Sequence, residues 1–332
     1  MLFGITMGDS SGIGPEIILK STAQNEIQHA AVIYGDWTVL DYYNRLLGLR
    51  VPLRAIRAGE ALREGTVNVI DHGIMNSDDV TPGKLNPKSG QAAREYVISA
   101  ARDALAGKIG AMVTLPMNKE ATQLTDPTFV GHTELIASVC GVEDVTIMLA
   151  SDDLIVTHVS THVSLQVAID RAKKDRICTI IRLTNEALQG LMANPRIAVA
   201  GLNPHAGENG LFGNEEISEI RPAVDWARSQ GMPVEGPFPP DTLFYLAVRR
   251  KKYDAIVCMY HDQGHVPLKL LDFEGGVNVA LGLPIVRTSV DHGTAFDIAG
   301  TGVASTRSLV KALDFAARLA HRRATSKPSS GS

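Results

Sequence analysis

The sequence predicts an α/β fold of mostly parallel sheets divided into two domains, and three observations carry that prediction. Short apolar runs alternate with helical stretches along the chain, as in strand-helix-strand units. Four of the runs end abruptly in polar clusters. The 332 residues are enough for two lobes, each with its own core.

In chain order, 2–7 reads as a first strand and Gly8 to Glu16, GDSSGIGPE, as a tight turn into a helix over 15–23. Pro15 sits where a first-turn proline is tolerated. Strands follow at 30–34 and 67–70 with a helix over 38–47 between them, then a polar loop at 84–90 and a helix over 91–105. The strand at 111–115 stops at Pro116-Met117-Asn118-Lys119. Gly131-His132-Thr133-Glu134 opens a helix with Thr133 as candidate cap. A strand at 154–160 precedes Thr161-His162, and 165–188 is largely helical. The strand at 196–202 closes in NPHAGE, 214–228 is helical, and Pro237 to Thr242 is a rigid loop into another helix. The segment 290–300 is a polar, glycine-containing loop, and 308–323 is a closing helix. The expected partition is 1–122 with 282–324 as a cofactor-side domain, 123–281 as a substrate, metal and dimerisation domain, and 325–332 as a disordered tail.

The stretch from Asp254 to Arg287 holds the densest chemistry. An apolar run, 255–260, too short for a helix, stops at His261-Asp262-Gln263-Gly264-His265. Lys269, Asn278 and Arg287 then recur along core-like chain. Buried cations are costly without a partner charge, so this pattern suits a site for an anionic small molecule. The alternative is ordinary loop histidines and solvated cations. The i, i+4 pair His261 and His265 also matches a zinc hydrolase helix, but Gly264 argues against the rigid helix that such spacing needs.

Composition excludes several classes. Hydrophobic residues make up 45% and charged residues 20%, with net charge -4 and pI near 6.2, which argues against a nucleic-acid binder. Three widely spaced cysteines suggest neither a disulfide framework nor a paired-cysteine zinc site. No apolar run approaches the ~18 residues of a membrane span, and the start lacks a basic leader, so the expectation is a soluble cytoplasmic protein. The GDSSGIGPE turn has neither the G-x-G-x-x-G of a dinucleotide fingerprint nor the Gly-Lys-Ser/Thr of a P-loop.

Ligands of parallel sheets gather beyond the carboxyl ends of the strands. His162, His205 and His261 each follow a strand and are candidates to converge on a divalent ion. Imidazole ligation favours zinc, with magnesium, cobalt or manganese as alternatives. Hydrogen-bonded turn histidines remain the other explanation.

Taken together, MGDSSGIGPEI, TLPMNK, GHTE, THVSL, NPHAGE with GNEE, GPFPPDTLF, MYHDQG, GLP and RTSVDHGTAFDIAG resemble the 4-hydroxythreonine-4-phosphate dehydrogenase family of pyridoxal phosphate biosynthesis over about 2–319. More distantly, GIGPE and HGTAFDIAG are similar to segments of isocitrate and isopropylmalate dehydrogenases, whose two-domain fold binds a nicotinamide cofactor in an interdomain cleft. The resemblance implies a homodimer with shared active sites. It assigns His162, His205 and His261 to the metal, the last from the partner chain. It assigns His132, Thr133, Lys269, Asn278 and Arg287 to a phosphorylated substrate. Asp241, Asp262 and Lys269 become candidate catalytic groups. By similarity to the larger superfamily, His292, Gly293, Thr294, Ala295, Asp297 and Gly300 form the NAD loop.

Several positions depart from the pyridoxal-pathway pattern: Ser10-Ser11 replaces Pro-Ala, Ser164 replaces a frequent proline, GENGLFGNEE replaces a glycine-richer segment, and His265 stands where leucine is common. LLDFEGGVNVAL is also altered. These features are similar to the paralogous branch acting on threonate or erythronate 4-phosphate. The expected reaction is therefore NAD-dependent, metal-assisted oxidative decarboxylation of a 4-phosphorylated 3-hydroxy acid to dihydroxyacetone phosphate and CO2. The alternatives are 4-hydroxythreonine-4-phosphate as substrate, a zinc hydrolase, or a non-catalytic sugar-phosphate-binding protein.

Overall fold

A computed structural model describes residues 1–326, so most of the expected tail, 327–332, lies outside the described residues. Among the described residues the strands are β1 (Phe3–Thr6), β2 (Ala31–Gly35), β3 (Leu53–Ile56), β4 (Val67–Asp71), β5 (Ala111–Thr114), β6 (Thr146–Ala150), β7 (Ile155–His158), β8 (Ile197–Ala200), β9 (Val234–Phe238), β10 (Ala255–Cys258), β11 (Val277–Leu281) and β12 (Arg287–Val290). Among the described residues the chain divides into two units: Met1–Glu143 with Leu283–Ala320, and Asp144–Gly282 with 321–326. The first break falls at 143 rather than 122 because helix His132–Cys140 packs on helix Pro87–Leu105 of the first unit.

In the first unit the strand order is β3-β4-β2-β1-β5-β12, parallel throughout. β1, β5 and β12 are buried along their whole length, as expected for parallel strands covered on both faces. Gly8 makes the turn after β1 possible: at φ +74° its backbone lies so close to β5 that a Cβ would stand 2.4 Å from the Pro116 carbonyl oxygen. Helix Gly14–Ala23 follows with proline in its first turn. Helix Pro87–Leu105 begins a turn earlier than the sequence suggested, because the Asn86 side chain accepts from the backbone N–H groups of Lys88 and Ser89. Its Tyr96 hydroxyl donates to Asp36 Oδ2 at 2.7 Å within the core.

In the second unit the order is β11-β6-β7-β10-β8-β9. β7, β10, β8 and β9 run parallel, whereas β6 is antiparallel to both β7 and β11. Helices Leu165–Arg171 and Lys174–Gln189 replace the single helical run expected at 165–188. Leu149, Val156, Ala198, Leu243, Ile256 and Leu268 form the buried core.

The largest correction concerns the chain after β10. Instead of a loop, helix His261–Leu271 starts there, with Gly264 and Pro267 both inside it. Gly264 is present for space and does not break the helix: a Cβ on it would meet His158 Nε2 at 2.5 Å and Cys258 Sγ at 3.0 Å. Helix and sheet thus touch through a missing side chain. Gly264→Ala should destabilise the fold by about 1–3 kcal/mol through overpacking despite alanine's better helix propensity, read as a lower urea midpoint.

Candidate active site

In the first unit, Arg287 opens β12 and is 3% exposed. Its Nη2 donates to Thr114 Oγ1 at 2.6 Å, while its Nε is buried with no hydrogen-bond partner. Burial lowers its pKa to about 10, with Glu134 opposing that shift. His132 is the first residue of helix His132–Cys140, and Gly131, not Thr133, occupies the cap position. Thr133 lies inside the first turn with 8% exposure. His132 keeps some surface exposure, but its Nε2 is shut off from solvent and has no partner. Burial, and then the positive field of Arg287, push its pKa down to about 3, so the ring is neutral at physiological pH. A guanidinium N–H and an imidazole nitrogen are therefore both unmet in a mainly desolvated setting, which calls for a polar ligand.

Asp9, fully buried in the turn after β1, ties together loops of this unit. Its Oδ1 accepts from the Ser89 hydroxyl and from Ser11 N at 2.8 Å. Burial raises its pKa against those hydrogen bonds. The Ser10 and Ser89 hydroxyls stand 2.8 Å apart, so the residues that depart from the Pro-Ala pattern are built into this network. The 290–300 loop joins it where Ile13 N donates to Thr294 O at 3.1 Å. Within that loop His292 Nδ1 lies 3.0 Å from Gly293 O, and Asp297 is exposed. Ala295 and Gly300 are at positive φ, 44° and 75°. A Cβ at Gly293 would meet nothing within 4 Å, so there is open space beside this backbone.

In the second unit, four imidazoles follow one another. His265 stacks on His261 with centroids 3.6 Å apart and planes at 10°, and His158 packs on His265 at 4.6 Å. His162, on the exposed turn after β7, stands 5.4 Å from His261. His265 Nδ1 lies 3.0 Å from the His261 carbonyl and 3.2 Å from His158 Nε2. His265, which stands where leucine is common and is the candidate imidazole for a substrate hydroxyl, is thus buried with its Nδ1 engaged. His261 Nδ1 pairs with Asp262 Oδ1 at 2.7 Å, the carboxylate support that a metal-bound imidazole uses for its second nitrogen. By donor chemistry the histidines fit a divalent ion.

His205 lies apart from these rings, exposed on the turn Pro204–Gly210, with Phe212 edge-on at 6.1 Å and Glu208 Oε2 3.6 Å from its Nδ1. Among the described residues no three metal-binding side chains gather within this one chain. Lys269 lies over the Phe273 ring at 5.2 Å. Asn278, on β11, has a buried Oδ1 without a partner. Asp241 is exposed in the first turn of helix Pro240–Val248. Sequence reasoning missed His158, Asp9, Glu208 and Glu216. The tandem THVS at 157–160 and 161–164 was a signal that could have drawn attention to His158 beside His162.

Comparison with known proteins identifies the family. Residues 26–316 match the family described as pyridoxal phosphate biosynthetic protein PdxA. A D-threonate 4-phosphate dehydrogenase from Cupriavidus necator is 47% identical over 329 residues, 97% of this chain and 98% of its own. A 4-hydroxythreonine-4-phosphate dehydrogenase from Desulfosudis oleivorans is 46% identical over 323 residues, 95% of each chain. A crystal structure of 4-hydroxythreonine-4-phosphate dehydrogenase from Klebsiella pneumoniae superimposes with TM-score 0.86 at 43% identity, covering 96% of this chain and 99% of its own. No helix among the described residues is long and apolar enough to cross a membrane.

The depressed pKa of His132 has a signed consequence for stability. Unfolded, this histidine takes up a proton below about pH 6.5; folded, it resists protonation down to about 3. Its contribution is therefore complete above the unfolded value and is lost as pH falls through that window, by at most about 1.4 kcal/mol per pH unit. His132→Gln should flatten the acid limb of stability, measured as urea midpoints between neutral pH and pH 4.

Proposed function

The chain belongs to the PdxA family, and from that membership we propose that it is an NAD- and divalent-metal-dependent dehydrogenase that oxidatively decarboxylates D-threonate or D-erythronate 4-phosphate. Its relatives' names make it an oxidoreductase of phosphorylated hydroxy acids. Identities of 47% and 46% to enzymes named for the two substrates do not choose between them, so the choice falls to individual side chains.

One observation carries the substrate reading. The substrate set consists of His132, Thr133, Lys269, Asn278 and Arg287, which offers cations, an imidazole, an amide and a hydroxyl, while the neighbouring Glu134 carboxylate is already set against Arg287. Arg287 Nε, His132 Nε2 and Asn278 Oδ1 are the unmet buried atoms in it. A guanidinium out of water is stabilised by an anion, which suits a phosphate or carboxylate. At C2 the competing substrates differ, with an ammonium in 4-hydroxythreonine-4-phosphate and a neutral hydroxyl in the sugar-acid phosphates. The ammonium wants an anionic acceptor, whereas the hydroxyl is met by an amide oxygen or a neutral imidazole.

His162, His205 and His261 would hold the divalent ion and the 292–300 loop the NAD; when bound, these supply Lewis-acid polarisation of the C3 hydroxyl and the acceptor for its hydride. The chain's own groups do the rest. Arg287 and the helix start at His132-Thr133 hold the anionic ends of the substrate. Asp262 is engaged with His261, which leaves Asp241 as the candidate to take the C3 hydroxyl proton. Oxidation gives a β-keto acid, C1 departs as CO2, and the Lys269 ammonium stabilises the negative charge left on the C2–C3 unit. Protonation at C2 completes dihydroxyacetone phosphate.

The reading extends to a homodimer with shared sites. Val266, Leu270 and Phe273, on or just after the helix that carries His261, are 60%, 86% and 72% exposed. A second copy covering this face would bury apolar surface and bring His261 to the partner's ligands.

The test is kcat/KM for the 4-phosphates of D-threonate, D-erythronate and 4-hydroxy-L-threonine, followed by NADH absorbance. The expected result is at least about a tenfold preference for a C2-hydroxyl acid, the scale of one well-placed polar contact. Preference for the amino compound would assign the protein to pyridoxal phosphate synthesis, and absence of NADH with all three would exclude the reaction.

A further inference from the structure

Two rare backbone conformations lie 6 residues apart in the second unit, the turn Pro204–Gly210 and the π-helical turn Glu216–Ile220. In the first, His205, Ala206, Gly207, Glu208 and Asn209 all have positive φ, between 42° and 76°. Four of the five carry a Cβ, which the left-handed region penalises at every step, so local propensity does not hold this turn. Something outside it must. The π turn begins at the residue that does so: Glu216, 1% exposed, accepts from Leu202 N and Asn203 N at 2.7 Å through Oε1 and from Asn203 Nδ2 at 2.9 Å through Oε2.

We propose that Glu216 is a positioning residue for His205, its buried carboxylate clamping the start of the left-handed turn so that the imidazole and its carboxylate partner Glu208 are presented in one fixed arrangement. This rests on the reading of His205 as a metal ligand. The close packing around the carboxylate supports it. A Cβ on Gly207 would stand 2.6 Å from Glu216 Oε2 and one on Gly201 3.1 Å from Oε1, so two glycines make room for this side chain. Asn203 is held from two directions, its Nδ2 also donating to Glu215 Oε2 at 2.7 Å. The turn brings Glu208 to the His205 Nδ1 side, the arrangement in which Nε2 is left to a ligand. A π turn, which inserts a residue into a helix and is frequent at functional sites, sets Glu216 at the angle that reaches Leu202 and Asn203.

The experiment compares the full-length protein with Glu216→Gln, which keeps the shape but leaves one acceptor oxygen where there were two, so an N–H2 donor must face either the backbone N–H groups of Leu202 and Asn203 or Asn203 Nδ2. Amide hydrogen exchange over 202–210 in the metal-free protein is expected to speed up at least about tenfold, with the remaining amides unchanged. Calorimetric titration with Zn(II) is expected to give an affinity about 10–100-fold weaker. Adding Ala206→Gly, which lowers the cost of the left-handed turn without touching the carboxylate, should restore part of that affinity. A carboxylate important only for stability would not be rescued this way. Should Glu216→Gln fail to fold, Asn203→Ala removes one arm of the clamp and is read in the same manner. Unchanged exchange over 202–210, or faster exchange with unchanged Zn(II) affinity, would overturn the proposal. If the unsubstituted protein bound no Zn(II), Co(II) or Mn(II), the metal reading of His205 would fall, and exchange alone would still decide whether Glu216 holds the turn.

Discussion

A guanidinium kept almost wholly from water is the constraint on which the first unit is organised. Arg287 is 3% exposed, one of its nitrogens is bonded to Thr114, and Nε has no partner. Burying such a charge costs several kcal/mol unless an anion meets it, so the arrangement is stable only because the surrounding parallel strands hold it. Burial, and then the same field, keep His132 neutral, which preserves a hydrogen-bonding nitrogen instead of a second positive charge. A protein that needed Arg287 only for stability would have paired it with a carboxylate or replaced it by an apolar side chain. A pre-placed cation without a direct carboxylate contact, offset only by the field of Glu134, is more useful to a ligand that arrives with its own negative charge.

The second unit solves a different problem, the fixing of imidazole rings. His261 is held on its face by His265 and at its edge by Asp262. His265 rests on His158, and Gly264 lets the helix come close enough for that contact. His205 is fixed by another device, a strained turn tied to a buried carboxylate. In both cases rigidity comes from outside the histidine itself, and each ring has a carboxylate on its Nδ1 side. This is how a protein prepares nitrogen donors whose lone pairs must point in a set direction.

Much of this was legible in the sequence. The runs that became β5 and β10 are largely apolar and end at abrupt polar clusters, so the parallel sheets could be read directly, and His261, Lys269 and Arg287 could be singled out there as candidates. Other features could not. β6, β9 and β11 are short and lack alternation, and β9 contains a Gly-Pro pair that reads as a loop. Helix His261–Leu271 was hidden because Gly264 and Pro267 carry a local signal for breaking, which tertiary packing against His158 overrides. The left-handed turn was hidden for the opposite reason: Ala206 and Glu208 give no hint of positive φ, and only the distant Glu216 explains it. The parts missed are those where long-range contacts defeat local preference, and they lie around the candidate ligands.

Metal-dependent hydride transfer is the central proposal, and one measurement addresses it most directly. The protein is stripped of divalent ions, supplied with NAD and D-threonate 4-phosphate, and NADH formation is recorded before and after Zn(II), Mn(II), Co(II) or Mg(II) is returned. The account predicts no NADH from the stripped protein and recovery with at least one of these ions. An undiminished rate from the fully stripped protein would contradict it.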